Sequence, residues 1–511
     1  MENIKYKKRF FVILAIILIG VFCISLTPKT LQNDTFYTIK IGEHIIENGE
    51  IDMLDPFSWH ENLEYTYPHW LYDVIIYLIY SVGGMTGIYI STCCFSIILG
   101  ATIFLVNKKI AKNEIISFVI TLLSMYLLKD YIAARAQLVT FILFIIEIYC
   151  IERLVDSKEK KYMIGLIILS VLIANLHVAV WPFTFVLYLP YIAEYIMAVI
   201  EEKIAKKYGK EPSNNGKITI TKKDGTKLLI ITLIICIFTG FLTPLGTVPY
   251  TYLIKTMQGN TTQNINEHQP LVLINDIDMI CLIIAYIALL LFSKNKISLT
   301  DLLMLSGLTL LTFFSKRQAT MLILIGSIIL NKLIVECFVN NNINILSDKI
   351  IDGVMSKFGI FMITSIVLIM SIIFIKPKLD DEYIDESSYP VEMSDFILEY
   401  FEESGKDISQ MRLYNEYNYG SYLLFRGIPV FIDSRADLYS PEFNEGVDVF
   451  TDFIQCSNIS TYFEKIFDKY DITHVILYKN SKMNMIIKET KLKGYKLLKQ
   501  DKNFVFYEIE K

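Results

Sequence analysis

Apolar residues fall in long runs over the first three quarters of the chain. Runs of roughly 18 apolar residues or more are long enough to cross a bilayer as helices. We predict about eleven transmembrane helices, at 9–26, 86–106, 113–128, 131–152, 162–176, 178–199, 228–243, 277–293, 299–314, 319–336 and 358–375. Residues 70–82 are also apolar. Because Gly83 and Gly84 separate them from the next run, they predict an interfacial or re-entrant helix.

Basic residues recur in alternate connections between these runs. The connections that we predict to be cytoplasmic contain Lys5–Arg9, Lys108, Lys109, Lys112, Arg153, Lys158, Lys160, Lys161, the lysine-rich stretch 203–227, Lys294, Lys296, Lys349 and Lys357. The first connection on the other side, between Thr27 and Trp70, has eight acidic residues and two lysines. Cytoplasmic connections of membrane proteins are enriched in Lys and Arg. This predicts a multi-pass cell-membrane protein with a cytoplasmic N-terminus and an extracytoplasmic tail.

The first apolar run, Phe10–Leu26, follows a basic segment and therefore has two interpretations. It is either a cleaved signal peptide or an uncleaved first span. No small-residue cleavage site follows the run, which favours the uncleaved span.

The tail, residues 379–511, has a mixed and more polar pattern. Helix-like stretches at 391–404, 459–470 and 481–491 alternate with strand-like stretches at 411–415, 429–433, 473–478, 494–499 and 504–509. This alternation is typical of a small α/β domain. We therefore predict a transmembrane domain at 1–378, with a first outer loop at 27–82, followed by a soluble α/β domain at 379–511.

Composition agrees with a membrane protein and excludes some classes of function. Of the 511 residues, 53% are hydrophobic, and the mean hydropathy is +0.44. The net charge of −5 argues against nucleic acid as a partner. The eight cysteines include no pair with zinc-site spacing, so we expect neither a disulfide framework nor a zinc centre.

Asp34 is the first acidic residue beyond the first predicted span. The stretch Thr35–Glu47 predicts a surface helix that has Phe36, Ile39, Ile45 and Ile46 on one face and ends at Gly49. A carboxylate at the start of this helix is either its N-cap or a general base for an incoming hydroxyl. The two roles are compatible.

Two further residues of the first outer loop have both a structural and a functional interpretation. Asp55 precedes Pro56, which indicates a turn, but its carboxylate is also suited to orient a substrate or bind a divalent cation. His69 is either an interfacial hydrogen-bonding residue or a substrate-orienting one. The sequence identifies no certain cofactor, and a divalent cation stays open.

Three basic residues lie on the predicted outer side, against the general charge bias. Arg135, followed by Gln137, begins the fourth span, and Lys316 and Arg317 occupy a short turn between two later spans. A cationic cluster there would bind a phosphate, which Arg can grip with two hydrogen bonds. The alternative is contact with lipid headgroups.

The remaining polar candidates are weaker when taken singly. Asn175 and His177 end the fifth span, and Glu267 and His268 lie in a later outer loop. Each is individually an ordinary loop residue, but together they suggest substrate-orienting groups. In the tail, the segment from Asp433 through Arg435 to Asp437 is either a binding loop or an internal ion pair.

Several short motifs resemble those of one group of bacterial membrane proteins in the GT-C glycosyltransferase-like superfamily. The matching stretches are Asp34…Gly42…Gly49…Asp55-Pro56-Phe57-Ser58…His69-Trp70-Leu71, Arg135-Ala136-Gln137, Asn175-Leu176-His177, Thr243-Pro244-Leu245-Gly246, Asn415…Tyr417…Gly420 and Asp433-Ser434-Arg435-Ala436-Asp437-Leu438-Tyr439. Ala136 stands where the group has proline, and Ser434 where it often has glycine. The resemblance covers nearly the whole chain.

The resemblance implies an inverting glycosyltransferase with a GT-C-like fold. Its donor would be a sugar on a polyprenyl phosphate, and its acceptor a glycan, lipid or protein of the cell envelope. By position, the superfamily's catalytic base falls on Asp34. Two other classes stay open: a transporter or flippase of lipid-linked glycans, and a non-catalytic scaffold.

Overall fold

The structure is a computed structural model that describes residues 2–208, 216–259, 261–272, 274–292, 295–341 and 348–510. Lys294, the end of the predicted span 277–293 and part of the lysine-rich stretch 203–227 lie outside the described residues.

The described chain is mainly helical. Its first helices are α1 (Glu2–Leu26), α2 (Asn33–Asn48), α3 (Trp70–Ala111), α4 (Glu114–Leu127), α5 (Ala136–Ser157), α6 (Lys160–Leu176), α7 (Trp181–Val186), α8 (Leu189–Tyr208) and α9 (Thr226–Phe238). They are followed by α10 (Val248–Gln258), α11 (Thr261–Asn264), α12 (Ile277–Phe292), α13 (Leu299–Phe314), α14 (Ala319–Asn340), α15 (Asp348–Val354), α16 (Lys357–Ile375), α17 (Val391–Ser404), α18 (Tyr417–Phe425), α19 (Val449–Ser457), α20 (Phe463–Lys469) and α21 (Lys482–Glu489).

The strands are short and few among the described residues. They are β1 (Ile218–Thr219), β2 (Ile297–Ser298), β3 (Leu413–Tyr414), β4 (His474–Tyr478), β5 (Tyr495–Gln500) and β6 (Phe504–Ile509). Single 3-10 turns lie at Lys129–Tyr131, Val178–Val180, Thr239–Phe241, Asn266–His268, Lys316–Gln318, Lys376–Lys378, Ile408–Gln410 and Ala436–Tyr439.

Every predicted transmembrane run coincides wholly or largely with helix. Among the described residues, five helical segments are long and apolar enough to cross a bilayer: Lys5–Leu26, Trp70–Ala111, Val178–Tyr208, Lys316–Asn340 and Lys357–Lys378. Four shorter apolar helices lie at Glu114–Leu127, Thr226–Phe241, Ile277–Phe292 and Leu299–Phe314. The total of eleven spans stays a prediction.

Proline and glycine residues interrupt two of these helical segments. The predicted span at 178–199 lies within the apolar helical segment Val178–Tyr208, in which the chain forms a 3-10 turn, α7 and α8 in succession. Pro182 and Pro190 each lie in a first helical turn, where a missing N–H costs nothing, and so they mark new helix starts. The predicted break near Gly83 is confirmed, since Gly84 kinks α3 with φ 57° and ψ −152°.

The chain forms two compact units, which we describe separately. The first comprises Met1–Pro28, Ile90–Thr243 and Asn266–Asp380. The second comprises Lys29–Tyr89, Pro244–Ile265 and Asp381–Lys511. The second unit therefore contains most of the predicted first outer loop as well as the tail. The domain limits drawn from the sequence stay predictions.

The first unit has an aliphatic and aromatic core that also contains hydrogen bonds and ion pairs between buried polar side chains. In one of these, Asn331 donates to Asn107 at 3.0 Å and to Ser117 at 2.8 Å, which joins α14 to α3 and α4. In another, Lys332 lies 2.7 Å from Glu152 and 3.1 Å from Asp301. These pairings satisfy polar groups that would otherwise be costly inside an apolar environment.

The second unit contains a four-stranded sheet in the order β3-β4-β6-β5. The pair β3 and β4 is parallel, and β6 runs antiparallel to both β4 and β5. The prediction of an α/β tail is confirmed, but the predicted strand at 429–433 is wrong. Only Val430 forms an isolated bridge there, with Ser58. The helices α18 and α19 were not predicted.

Gly42 is where α2 passes closest to the start of α3. A Cβ atom at this position would lie 2.1 Å from the carbonyl oxygen of Asp73. We expect Gly42→Ala to lower the free energy of unfolding by about 2 kcal/mol or more, since the backbone must move apart. Gly83→Ala is the control, because nothing lies within 4 Å of its added Cβ. Equal thermal midpoints of the two variants in detergent would contradict this packing.

Candidate functional site

Asp34 lies in the first turn of α2, in the second unit. The N-cap of α2 is Gln32, so the interpretation of Asp34 as the N-cap is wrong. The side chain of Asp34 is half-buried. A carboxylate in a first turn is favoured by the positive end of the helix dipole. The predicted helix end is confirmed, since Gly49 has φ 72°. Ile46, predicted to be on the apolar face, is 46% exposed.

The segment leading into α2 is held by backbone and side-chain hydrogen bonds to the tail. Leu31 donates its N–H to the carbonyl of Tyr383 at 2.9 Å, and its own carbonyl accepts from the Tyr389 hydroxyl at 3.1 Å. The Asn33 amide donates to the carbonyl of Tyr417 at 2.9 Å. The tail therefore fixes the residues immediately before Asp34.

Aromatic packing holds the same helix one turn later. Phe36 is fully buried, and its ring meets those of Tyr389, Tyr422 and Phe425 at centroid distances of 5.0, 5.2 and 5.5 Å. Such aromatic groups add to the apolar area that each ring buries. The position of α2 thus depends on α18 and on the residues before α17.

His69 lies just before α3 and bridges two helices of the second unit. Its Nδ1 is 2.8 Å from Oδ1 of Asp73, and its Nε2 is 3.2 Å from the hydroxyl of Tyr37. Neither Tyr37 nor Asp73 was a sequence candidate. Their spacing carried a signal, because Asp73 is four residues after His69 and Tyr37 is three after Asp34.

Asp55 and the tail motif meet in a buried ion network. Arg435 donates to both oxygens of Asp433, at 2.9 and 2.7 Å, and to Asp55 at 2.7 Å. The Tyr439 hydroxyl donates to Asp433 at 2.6 Å. The guanidinium also lies over the Tyr65 ring, 5.0 Å from its centroid. The interpretation of the tail motif as an internal ion pair is therefore confirmed.

This environment favours a structural role for Asp55. Burial raises its pKa, but the charge of Arg435 and the hydrogen bonds from Ser58 and Arg435 together outweigh burial, so the net pKa is below the ordinary value. The carboxylate also accepts from the backbone N–H of Ser58 at 2.9 Å, which confirms the predicted turn. Its side chain has 0% exposure. A role in orienting substrate or binding a cation stays a prediction, and complete burial does not favour it.

Asn415 explains why residues 429–433 do not form a strand. Its side-chain amide accepts from the N–H of Phe431 at 2.8 Å and donates to the carbonyl of Ile432 at 2.7 Å. A side chain thus takes the hydrogen bonds that a neighbouring strand would provide. Gly420 allows α18 to approach the same segment, because its Cβ would lie 2.0 Å from the carbonyl oxygen of Ile432.

Asp437 has a different partner from its neighbours in the motif. Its carboxylate accepts a hydrogen bond from the hydroxyl of Tyr252 in α10, also in the second unit. This contact links the segment Pro244–Ile265 to the tail. The motif residues Asn415, Asp433, Arg435 and Asp437 therefore all have structural contacts.

The basic candidates gather in the first unit. Arg135 donates to Glu267 at 2.9 Å, and Lys316 lies 3.7 Å from Asp276. The turn that begins at Lys316 is joined to the segment that follows Glu267, since the N–H of Lys316 donates to the carbonyl of Gln269 at 3.0 Å. In the part of the chain that the structure describes, no carboxylate forms an ion pair with Arg317.

The charges of this cluster influence one another. Burial lowers the pKa of His268 to about 4, and the positive charge of Arg317 contributes. Burial raises the pKa of Glu267, but Arg135 and Arg317 lower it more, so that its net pKa is below the ordinary value. The structure thus brings Arg135, Glu267, His268, Lys316 and Arg317 into one electrostatic cluster.

Gln137, Asn175 and His177 are all buried in the first unit. Asn175 donates to the carbonyls of Val171 and Leu242 at 2.8 and 3.0 Å. Thr140 lies 3.4 Å from Nδ1 of His177. The contacts of Asn175 fix local backbone, and the predicted substrate-orienting roles of all three residues stay predictions. Asp34 belongs to the other unit, so its convergence with the cationic cluster also stays a prediction.

A metal site has no obvious ligand set within the described ranges. No group of three or more His, Cys, Asp or Glu side chains there is arranged to hold a metal ion.

Comparison with known proteins gives matches in fold alone. No protein-family model and no curated protein matches the sequence. ArnT from Cupriavidus metallidurans, bound to undecaprenyl phosphate, is 8% identical with a TM-score of 0.55, over 98% of this chain and 97% of that chain. The archaeal oligosaccharyltransferase AglB from Archaeoglobus fulgidus, in complex with an inhibitory peptide and a dolichol-phosphate, is 9% identical with a TM-score of 0.58. The match covers 94% of this chain and 70% of that chain.

A further structure of the oligosaccharyltransferase from Archaeoglobus fulgidus has a tethered acceptor peptide containing the NVT sequon. It is 10% identical with a TM-score of 0.56, over 99% of this chain and 75% of that chain. The fold is GT-C-like. The protein is therefore a helical membrane protein of GT-C-like fold with a sheet-containing C-terminal region, as the motifs implied.

The buried Arg435 network gives a prediction for stability. We expect Arg435→Gln to lower the free energy of unfolding by about 3 kcal/mol or more, since Asp55 and Asp433 would lose their counter-charge inside the protein. The matched control is Arg426→Gln, whose partner Asp395 lies at 2.6 Å but is 55% exposed, so its loss should cost about 1 kcal/mol or less. Similar thermal midpoints for the two variants would reject the importance of the network.

The histidines of the second unit give a prediction for pH dependence. Burial lowers the pKa of His60 to about 4, although its ring is bonded to the carbonyl of Phe431 at 2.8 Å. An unfolded chain takes up this proton near pH 6.5, whereas the folded protein takes it up only near pH 4. The free energy of unfolding should therefore fall as the pH decreases through this range. Thermal unfolding at pH 7.5 and pH 5 should show a smaller loss in His60→Gln than in the wild type or in His44→Gln.

Proposed function

We propose that the protein is a membrane glycosyltransferase that transfers a sugar from a polyprenyl-phosphate donor to an acceptor of the cell envelope. In this proposal the configuration at the sugar inverts, and the reaction takes place at the extracytoplasmic surface. The support comes from a fold similar to those of ArnT, bound to undecaprenyl phosphate, and of AglB, in complex with a dolichol-phosphate.

The observation that carries the proposal is the cluster of Arg135, Lys316 and Arg317 in the first unit. In the reaction, the bond between the anomeric carbon and the phosphate oxygen breaks, and its electron pair stays on the phosphate. Fixed positive charges near that oxygen stabilise the transition state. Arg317 is suited to this role because no described carboxylate neutralises it directly. A phosphate can take the place of Glu267 as the partner of Arg135.

Asp34 is the proposed general base. The acceptor hydroxyl attacks the anomeric carbon from the face opposite the phosphate, and its proton passes to the Asp34 carboxylate. Because this carboxylate is only half-buried, a substrate can reach it, and the positive end of the helix dipole favours its negative charge. Asp55, in contrast, is fully buried against Arg435 and is proposed to stabilise the first loop.

Direct transfer assays test the proposal. The wild-type protein in lipid nanodiscs would receive undecaprenyl-phosphate-linked hexoses and pentoses, each labelled in the sugar, with a cell-envelope extract as acceptor. We expect Asp34→Asn to lower transfer at least about 100-fold, in the range that loss of a general base produces. The matched control is Glu47→Gln, an exposed carboxylate at the other end of α2, which should retain full activity.

The same assay separates the competing functions. Arg317→Gln should raise the KM for the donor, while Lys129→Gln, at another basic residue of the first unit, should not. A wild-type protein that transfers no sugar from any donor, but moves labelled lipid across sealed vesicles, would instead favour a transporter. Full transfer by Asp34→Asn would remove that residue from the mechanism.

A further inference from the structure

An imidazole in the second unit is held between a buried carboxylate and a phenol. The Asp73 carboxylate, with 0% exposure, lies 2.8 Å from Nδ1 of His69, whose own side chain is 14% exposed. On the other side of the ring, Nε2 lies 3.2 Å from the Tyr37 hydroxyl. The rings of His69 and Tyr37 stack with a centroid distance of 5.9 Å.

The chemistry of these groups fixes where a proton can enter. A carboxylate only accepts hydrogen bonds, so Nδ1 of His69 carries a proton and donates to Asp73. Nε2 of the neutral ring then accepts from the Tyr37 hydroxyl. A second proton must therefore enter the ring at Nε2, on the side that faces α2. An aspartate in this position stabilises the imidazolium that forms.

Tyr37 lies one helical turn after the proposed base. Tyr37 follows Asp34 by three residues in α2, and residues with this spacing are neighbours on a helix surface, with about 5–6 Å between their Cβ atoms. The close approach of α2 to α3 at Gly42 holds Tyr37 against His69. The order of groups is thus Asp34, Tyr37, His69 and Asp73.

The surrounding charges come from three segments of the second unit. Tyr37 contacts His69 from α2, and Tyr65 approaches Asp73 from the first loop. Arg435 acts on Asp73 from the tail. Arg435 already pairs with two other carboxylates, so within the described part of the chain only His69 forms an ion pair with Asp73.

We propose that His69, oriented by Asp73, receives through Tyr37 the proton that Asp34 takes from the acceptor hydroxyl. Tyr37 gives its hydroxyl proton to Nε2 of His69 and takes the proton from Asp34, which returns to the carboxylate form. The imidazolium then releases one proton to water. His69, Tyr37 and Asp73 act through Asp34 and are positioning residues. This inference rests on the proposed function, since it needs a proton released at Asp34.

The first test needs no substrate. Full-length protein with ¹⁵N-labelled histidine in nanodiscs would be titrated by NMR, and the signals of His69 and His44 identified with His69→Gln and His44→Gln. We expect Asp34→Asn to move the His69 midpoint to lower pH by roughly half a pH unit, because a nearby negative charge is lost. His44 is the internal control, as it lies on the same helix beside Asp52, and should not move.

Tyr37→Phe separates a relay from simple proximity. In the Tyr37→Phe background, the effect of Asp34→Asn on the His69 midpoint should fall by half or more, because the hydroxyl that couples the two groups is gone. An unchanged His69 midpoint in Asp34→Asn, or a coupling that persists fully without the Tyr37 hydroxyl, would overturn the relay.

The transfer assay gives the second readout. Tyr37→Phe and Asp73→Asn should lower kcat about tenfold, as expected when acid–base support is lost, and leave the KM for the donor within twofold. His69→Gln should also remove the dependence of kcat on pH in the range where histidine titrates. If the wild type transfers no sugar, the proposed function fails, and the NMR titration then decides only whether Asp34 is coupled to His69 through Tyr37.

Discussion

The buried ion network around Arg435 is the interaction on which the second unit depends. Arg435 and Asp55 are separated by 380 positions in the chain, yet their side chains have 1% and 0% exposure and lie 2.7 Å apart. A charge in such a place is costly unless it is paired and hydrogen-bonded. The first loop and the tail can therefore bury these groups only together, which makes their folding interdependent.

That interdependence determines where Asp34 lies. Leu31, just before α2, is hydrogen-bonded to the segment 383–389, and Asn33 is hydrogen-bonded to the first residue of α18. The Phe36 ring packs against aromatic rings of the same segment and of α18. The Asn415 and Gly420 positions of the tail motif shape the segment against which α18 packs. The tail motif thus has a structural explanation: it builds the surface that fixes α2, and through α2 the carboxylate proposed as base.

The first unit solves a different problem, since its polar groups lie among apolar helices. Some of the buried polar groups there are paired, as Lys332 is with Glu152 and Asp301. In the cluster of Arg135, Lys316 and Arg317, Glu267 pairs with Arg135 and Asp276 with Lys316, while among the described residues no carboxylate pairs with Arg317. Positive charge of this kind suits an anionic ligand, such as the phosphate of the proposed donor.

The sequence by itself determined the helical class, the positions of the long apolar helices, the end of α2 at Gly49 and the kink at Gly84. These features follow from local apolar periodicity and from backbone rules for glycine, which neighbouring residues encode. It also identified most residues of the candidate site, because charged groups beside apolar runs are conspicuous. Only the tertiary structure decided the partners. The strand expected at 429–433 is replaced by hydrogen bonds to Asn415, Asp34 is not the helix cap, and Asp55 is a buried partner of Arg435. Each of these depends on a contact between residues far apart in the chain, or on how an adjacent segment packs, and no local pattern encodes such a contact.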